Sequence, residues 1–346
     1  MSHRIHRSRL TVGAAVAVAA LALAGCATEG GDAPPATEGG TIRVAYLATG
    51  SSLPLFVAAE KYADEAGIEI ELVEVTSGNE SITGVATAQY DAGFAGIGSA
   101  AYNAFDEGLP VRYVAPMHSG YIEDYFIISS QHAADAEAAA ELAEDMSGFA
   151  GQSFAVNAPG VVTEALLGFA LEDVGLSLSE VNLEYIPFPD QVPALANGGI
   201  VAGILSEPFP TQAEENGAGF RPWETPDSEP LPFTGILYNT DWAEANPELA
   251  EGFMRAYAMG AADLAENGWD TPEMLELIEE YTGADPAVIA ASRQHHISAD
   301  LSVDLDVVLR YQEFFLEQGS LNYDEIIPEE DIWDFSWRDA VLAEDG

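Results

Sequence analysis

From Thr41 onward the chain alternates short β-type runs with helical ones, the pattern of βαβ units that build mainly parallel sheets. Ile42, Val44 and Tyr46 alternate as a first strand. Leu55, Phe56, Ala59, Tyr62 and Ala63 share one face of a helix that starts around Ser52 and Pro54 and stops at Gly67. A strand over 68–75, a helix near 80–90, a strand over 92–97, a short helix and a strand over 111–115 complete a first block, and 125–129 reads as a strand leaving it. A second block opens with an alanine-rich helix over 133–146. It continues through a strand at 153–156, a helix at 161–174 and strands at 181–186 and 200–205. The segment 221–232, with Pro222, Pro226, Pro230 and Pro232, reads as a crossing loop, and 233–238 as one more strand before an almost wholly helical remainder. The expectation is an α/β protein of two lobes, the first discontinuous (41–130 plus 233–346) and the second spanning 131–232.

Composition narrows the partners. A length of 346 residues suits about two domains. With 58 acidic against 11 basic side chains the formal charge is −47, so phosphate backbones and anionic lipid headgroups repel the chain and nucleic-acid binding is a poor reading. A hydrophobic fraction of 48% supplies ample core. Before position 10, Arg4, Arg7 and Arg9 precede an uncharged apolar run from Leu10 to Gly25, a signal-peptide layout too short for a bilayer span. Leu23-Ala24-Gly25-Cys26 resembles the bacterial lipoprotein signal, which implies a mature chain lipid-modified on Cys26, its only cysteine, and anchored outside the cytoplasm. Residues 26–40, rich in Gly, Pro, Thr and Glu, read as a flexible tether. Removing 1–25 takes away three arginines and no acid, leaving eight basic against 58 acidic side chains, a charge of −50. We read the excess acid as adaptation to high salt or high pH.

The inventory for catalysis is thin. Four histidines remain after the leader, and no G-x-S-x-G elbow, Walker loop or dinucleotide glycine fingerprint is present. His295 and His296 are adjacent, so on a helix they diverge by about 100° and do not chelate a metal as an i, i+4 pair would. Neither a metal nor a cofactor is expected. What stands out is four strand-to-helix turns: 48–52, 76–79 with Ser77, 98–100 and 157–163. In an open parallel sheet such turns lie at the carboxyl ends of the strands, where ligands bind, and their Gly, Ser, Thr and Asn leave helix amides facing a ligand. They serve equally as ordinary N-caps and turn formers. Phe94 is expected in the core. Tyr121, Glu123, Asp124, Tyr125, Phe188 and Asp190 fall near cleft edges and suit an aromatic heterocycle or an amine, or serve equally as core aromatics beside surface acids, while no Arg or Lys sits on a binding turn.

That layout, with Gln89-Tyr90-Asp91, Pro159-Gly160, Ala194-Leu195-Ala196-Asn197-Gly198 and Ser206-Glu207-Pro208, resembles the substrate-binding proteins of ABC importers in the nitrate/sulfonate/taurine and thiamine-precursor superfamily. The resemblance covers most of 41–320. Val201 stands where that family usually carries an aspartate. It implies a type II periplasmic-binding-protein fold with a ligand cleft between two α/β lobes, and a monomeric, extracytoplasmic, non-enzymatic lipoprotein that passes a small-molecule solute to a membrane permease. By motif position it implies ligand contacts at Thr49, Gly50 and Ser51, at Gly98 and Ser99, at Pro159, Gly160 and Val161, and at Glu207. The alternatives are an extracellular sensor lipoprotein without a transporter and an enzyme of the same fold.

Overall fold

The computed structural model describes residues 40–223 and 230–344. The leader, Cys26 and all of the tether but Gly40 lie outside these residues, as does Pro226. Among the described residues, ten strands form two five-stranded sheets. The first sheet orders β2 (Glu69–Glu74), β1 (Thr41–Tyr46), β3 (Ala92–Gly96), β10 (Leu231–Asn239) and β4 (Val111–Gly120). The second orders β7 (Asn182–Tyr185), β6 (Ser153–Val156), β8 (Ala202–Ile204), β5 (Phe126–Ser129) and β9 (Gly219–Phe220).

The two sheets share one plan. β1 runs parallel to β2 and β3, and β6 runs parallel to β7 and β8. Each sheet then receives one antiparallel strand from a different stretch of chain: β10 enters between β3 and β4, and β5 enters between β8 and β9. The chain therefore crosses to the second sheet before Phe126, a few residues earlier than the boundary at 130 read from the sequence. It returns ahead of Leu231. β4 and β10 are also longer than expected. Pro232 does not end β10, because it lies at a register shift where the ladder does not require its missing N–H.

Local chemistry sets the helix boundaries. The alanine-rich helix covers only Ala136–Ala143, because the Asp135 side chain accepts the Ala138 N–H at 2.9 Å and fixes its start. Asn239, at the end of β10, accepts the Trp242 N–H at 2.8 Å and donates to the Val85 carbonyl at 2.8 Å, joining the strand end to two helices. The helix Leu305–Glu317, which the sequence reading placed with the first lobe, touches both. Val308 accepts the Tyr102 hydroxyl at 2.7 Å, while the Arg310 guanidinium lies 3.8 Å over Phe169 of the helix Val162–Asp173. Among the described residues no helix is long and apolar enough to cross a membrane.

Asn239→Ala removes a cap and one of the two donors to the Val85 carbonyl, which keeps the Ala88 N–H. We expect a loss of about 2 kcal/mol, read as a lower urea midpoint at unchanged m.

Candidate functional site

The carboxyl ends of β1, β3, β6 and β8 converge with the starts of the helices Gly78–Ala86 and Val162–Asp173 around one cleft of about 620 Å³, measured out to its open mouth. Phe94, Tyr125, Phe188 and Phe233 give it aromatic walls, and Leu47, Leu166 and Ile204 add aliphatic ones. Its polar groups come from Thr49, Ser51, Asn79, Asn157, Thr163, Ser206, Thr234 and His118, and no Asp, Glu, Lys or Arg lines it among the described residues. Gly78, Asn79, Val162 and Thr163 stand in first helical turns, whose amides have no acceptor within their own helix.

A hydrogen-bonded chain runs behind the wall. Tyr125 Oη lies 2.5 Å from His295 Nδ1, His295 Nε2 lies 3.3 Å from Ser51 Oγ, and Ser51 Oγ lies 2.8 Å from Ser206 Oγ across the lobes. Burial raises the Tyr125 phenol well above its ordinary range, so it keeps its proton. With the His295 proton on Nε2, Tyr125 donates to Nδ1 and Nε2 donates to Ser51, while the Ser51–Ser206 bond runs in either direction. Burial pushes His295 down to about 3. His118, whose Nδ1 lies 2.6 Å from Thr234 Oγ1, is pushed down by burial first and by the neighbouring His295 second. Both rings are neutral at pH 7, so the cleft carries polarity without fixed charge.

Thr49, Ser51, Tyr125, Val161 and Phe188, all expected at a binding site, line this cleft together. Thr49 is 4% exposed, and its hydroxyl has no hydrogen-bond partner. Phe94, expected in the core, is buried and also forms part of the wall.

The other expected residues sit elsewhere. Gly50 donates its N–H to the Glu207 carbonyl at 3.0 Å, and Ser77 caps a helix by accepting the Glu80 N–H at 3.3 Å. Gly98, Ser99, Pro159 and Gly160 form a lip where the lobes meet. Ser99 N–H donates to Gly160 O at 2.7 Å and Asn79 Nδ2 donates to Pro159 O at 3.0 Å. The approach there is close enough that a Cβ on Gly98 would lie 2.6 Å from the Gly160 oxygen, and Gly160 itself has φ +66°. Glu207 is buried and does not line the cleft. Its carboxylate accepts from Arg221 Nη2 at 2.5 Å, from the Arg293 N–H at 3.0 Å and from Thr211 Oγ1 at 3.1 Å. Burial raises its carboxyl while Arg221 opposes the shift. Asp124 is likewise engaged, accepting from Arg293 Nη1 at 2.5 Å. Tyr121, Glu123 and Asp190 are not among the lining residues.

The NMT1-like family's sequence profile matches residues 35–278. The chain belongs to the NMT1-like family. No curated protein matches its sequence. Among solved structures, this NMT1-like chain is similar to a ligand-binding component of an ABC-type import system from Staphylococcus aureus, solved with zinc bound: 13% identity, 87% of this chain and 98% of that one covered, TM-score 0.72. It is similar to the periplasmic nitrate-binding protein of Synechocystis PCC 6803 (16% identity, 88% and 89% covered, TM-score 0.68). It is similar also to the alkanesulfonate-binding protein of Xanthomonas axonopodis pv. citri bound to MOPS (17% identity, 86% and 99% covered, TM-score 0.64). The NMT1-like chain thus has the periplasmic-binding-protein fold of two α/β lobes. Among its described residues no cluster of three or more His, Cys, Asp or Glu is placed to hold a metal.

Two outcomes are expected from this geometry. A histidine whose folded pKa is depressed contributes stability that is complete above its unfolded value of 6.5 and is lost as pH falls from there toward the folded value, about 3 for His295. His295→Gln is therefore less stable at pH 7 but loses less on acidification between pH 6.5 and 4, its slope shallower by about 1.4 kcal/mol per pH unit in urea titrations. Gly160→Ala forces a Cβ into the lip at a left-handed backbone position, costing about 1–2 kcal/mol. It should lower the thermal midpoint and raise the radius of gyration in solution scattering.

Proposed function

We propose that this chain is an extracytoplasmic solute-binding lipoprotein, held to the cell membrane through lipid on Cys26, that captures a small organic solute in the cleft and hands it to the permease of an ABC importer. The observation that carries the reading is the cleft itself: it lies between two lobes at strand carboxyl ends, with aromatic walls and polar groups from both lobes. Such a site works by hinge closure and requires no bond chemistry. The fold-mates named for nitrate and alkanesulfonate binding support solute capture.

The chemistry of the lining favours an uncharged, partly aromatic solute of the pyrimidine or thiamine-precursor kind over nitrate, sulfonate or taurine. An anion buried here would meet helix-start amides and hydroxyls but no arginine or lysine, and burying a charge without a counter-charge is costly. A planar heterocycle stacks on Phe or Tyr faces and pairs its ring nitrogens and amino groups with Ser, Thr and Asn. The neutral histidines suit the same solute. The leader and the acid excess support export into a salty or alkaline exterior. A sensor lipoprotein without a permease would use the same cleft. An enzyme would need an activated nucleophile or base, and His295, pushed down to about 3, is a poor base.

The test is thermal unfolding in high salt with hydroxymethylpyrimidine, taurine, alkanesulfonates, nitrate and small amines. A ligand at 100 times its dissociation constant adds about 2.7 kcal/mol, a rise of a few degrees. We expect the pyrimidine arm to respond and the anions not to. A response to the sulfonates alone would overturn the ligand class, and no response from a folded protein across the panel would overturn the solute-capture reading. Because the Thr49 hydroxyl lacks a partner within the protein, Thr49→Val should leave stability within about 0.5 kcal/mol yet weaken the bound pyrimidine roughly fivefold in calorimetry.

A further inference from the structure

A second cavity, sharing no residue with the cleft, lies under the C-terminal part of the chain. It has about the same volume, 620 Å³ out to its mouth, and is walled by the helix Leu305–Glu317 on one side and by 326–333 on the other. Its frame is fixed. Tyr113 N–H of β4 donates to Ile332 O at 3.0 Å and Asp334 N–H donates to Tyr113 O at 2.8 Å, so the wall is pinned to the edge of the first sheet. The opposite wall is the helix that touches both lobes.

Three features of this cavity are unexplained by packing. Its interior is largely apolar, yet two side chains that line it hold donors with no acceptor. Gln312, 1% exposed, spends its Oε1 on the Ile327 N–H at 3.0 Å and leaves its Nε2 amide without a partner, and Trp333, 4% exposed, leaves its indole N–H without one. Each donor atom itself exposes less than 1 Å², and a buried donor without an acceptor is costly, so an occupant whose acceptor reaches either one through a small side-chain rotation is rewarded. Next, only four large hydrophobic side chains are exposed among the described residues, and two of them, Leu309 and Ile326, belong to this cavity. Finally, the charged residues that line it are Asp306 and Glu329, both acidic. Apolar walls select an apolar body, the donors select an acceptor oxygen or nitrogen, and the carboxylates repel an anion.

We propose that this cavity is a second small-molecule site, for an uncharged, mainly apolar compound carrying a hydrogen-bond acceptor such as a ketone, ester or amide oxygen. Because the helix Leu305–Glu317 reaches Tyr102 in one lobe and Phe169 in the other, an occupant seated against it is placed to bias how the lobes sit together.

The probe is cyclohexanone, titrated into the ¹⁵N-labelled folded protein at millimolar concentration while the indole N–H resonances of its five tryptophans are followed. Trp333 is assigned by triple resonance and, where the variant folds, by Trp333→Phe. The expected result is a saturable downfield shift confined to the Trp333 indole, with a parallel response of the Gln312 side-chain amide. Cyclohexane, which lacks the acceptor, and cyclohexanecarboxylate, which carries a negative charge, should give less than a tenth of that shift at equal concentration. Leu309→Glu, at an exposed position that leaves the fold intact, should weaken cyclohexanone at least tenfold. A linear, non-saturating shift, equal movement of all indoles, an equal response to cyclohexane or to the carboxylate, or unchanged binding in Leu309→Glu would each overturn the proposal.

Discussion

The insertion of β10 between β3 and β4 is the constraint on which the rest of the structure depends. All nine of its residues, Leu231–Asn239, are buried, and it pairs antiparallel on both sides. Without it β3 would present an open edge and β4 would have no partner in the sheet, and open edges inside a core leave backbone groups unpaired. The first sheet therefore closes only after the chain has visited the second, and the outward crossing brings Tyr125 to the cleft. The same strand supplies Phe233 and Thr234 to the cleft, so the element that completes the sheet also builds the site.

Electrostatics divides the molecule in two. The chain carries 58 acids, yet the cleft lining is free of charge among the described residues, and the acids that are buried are engaged: Glu207 with Arg221 and the Arg293 amide, Asp124 with Arg293, Asp91 with Arg43 at 3.1 Å, and Glu164 with the Gly160 N–H at 2.8 Å. Three of the few arginines are thus spent on neutralising buried carboxylates. Losing one partner of such a pair leaves a buried charge uncompensated, which is strongly destabilising, whereas the intact pair adds little net stability. Their role here is positional. Glu207 accepts from Arg293 with its side chain and from Gly50 with its backbone carbonyl, so one residue of the second lobe holds two segments of the first.

The β-α alternation was legible because period-two and helical apolar patterns are local, and the turns after β1 and β6 were legible because Gly, Ser, Thr and Asn mark strand-to-helix junctions wherever they fall. Thr49, Ser51 and Val161 follow from that. His118 did not, because β4 was read as ending at 115: Pro116 reads as a stop, although its neighbours continue pairing to Gly120. The register of β4 against β10 sets His118 opposite Thr234, and no local pattern signals a pairing across more than a hundred residues. His295 was read only as half of a diverging pair. Its partners Tyr125 and Ser51 lie 170 and 244 residues away. Glu207 misled for the same reason, since its counter-charge at Arg221 and its donor at Arg293 become neighbours only in the fold.

In the proposed closure, the lip joins the lobes through neutral contacts. Ser99 to Gly160, Asn79 to Pro159, Gly50 to Glu207 and Ser51 to Ser206 are neutral contacts between the lobes, each worth about 1 kcal/mol net. Their sum is of the same order as the cost of desolvating the groups that form them, so the lip alone biases the balance of the proposed closure weakly. A solute can shift that balance only through contacts that exist in one arrangement and not the other. Ser51 and Thr49 face Ser206, Val161 and Phe188 from opposite lobes, so a solute touching both sets gains its full contact only when the lip is shut. None of these four contacts is ionic, whereas the Glu207 carboxylate also joins the lobes through the Arg293 N–H, so only the lip's share of closure is insensitive to screening.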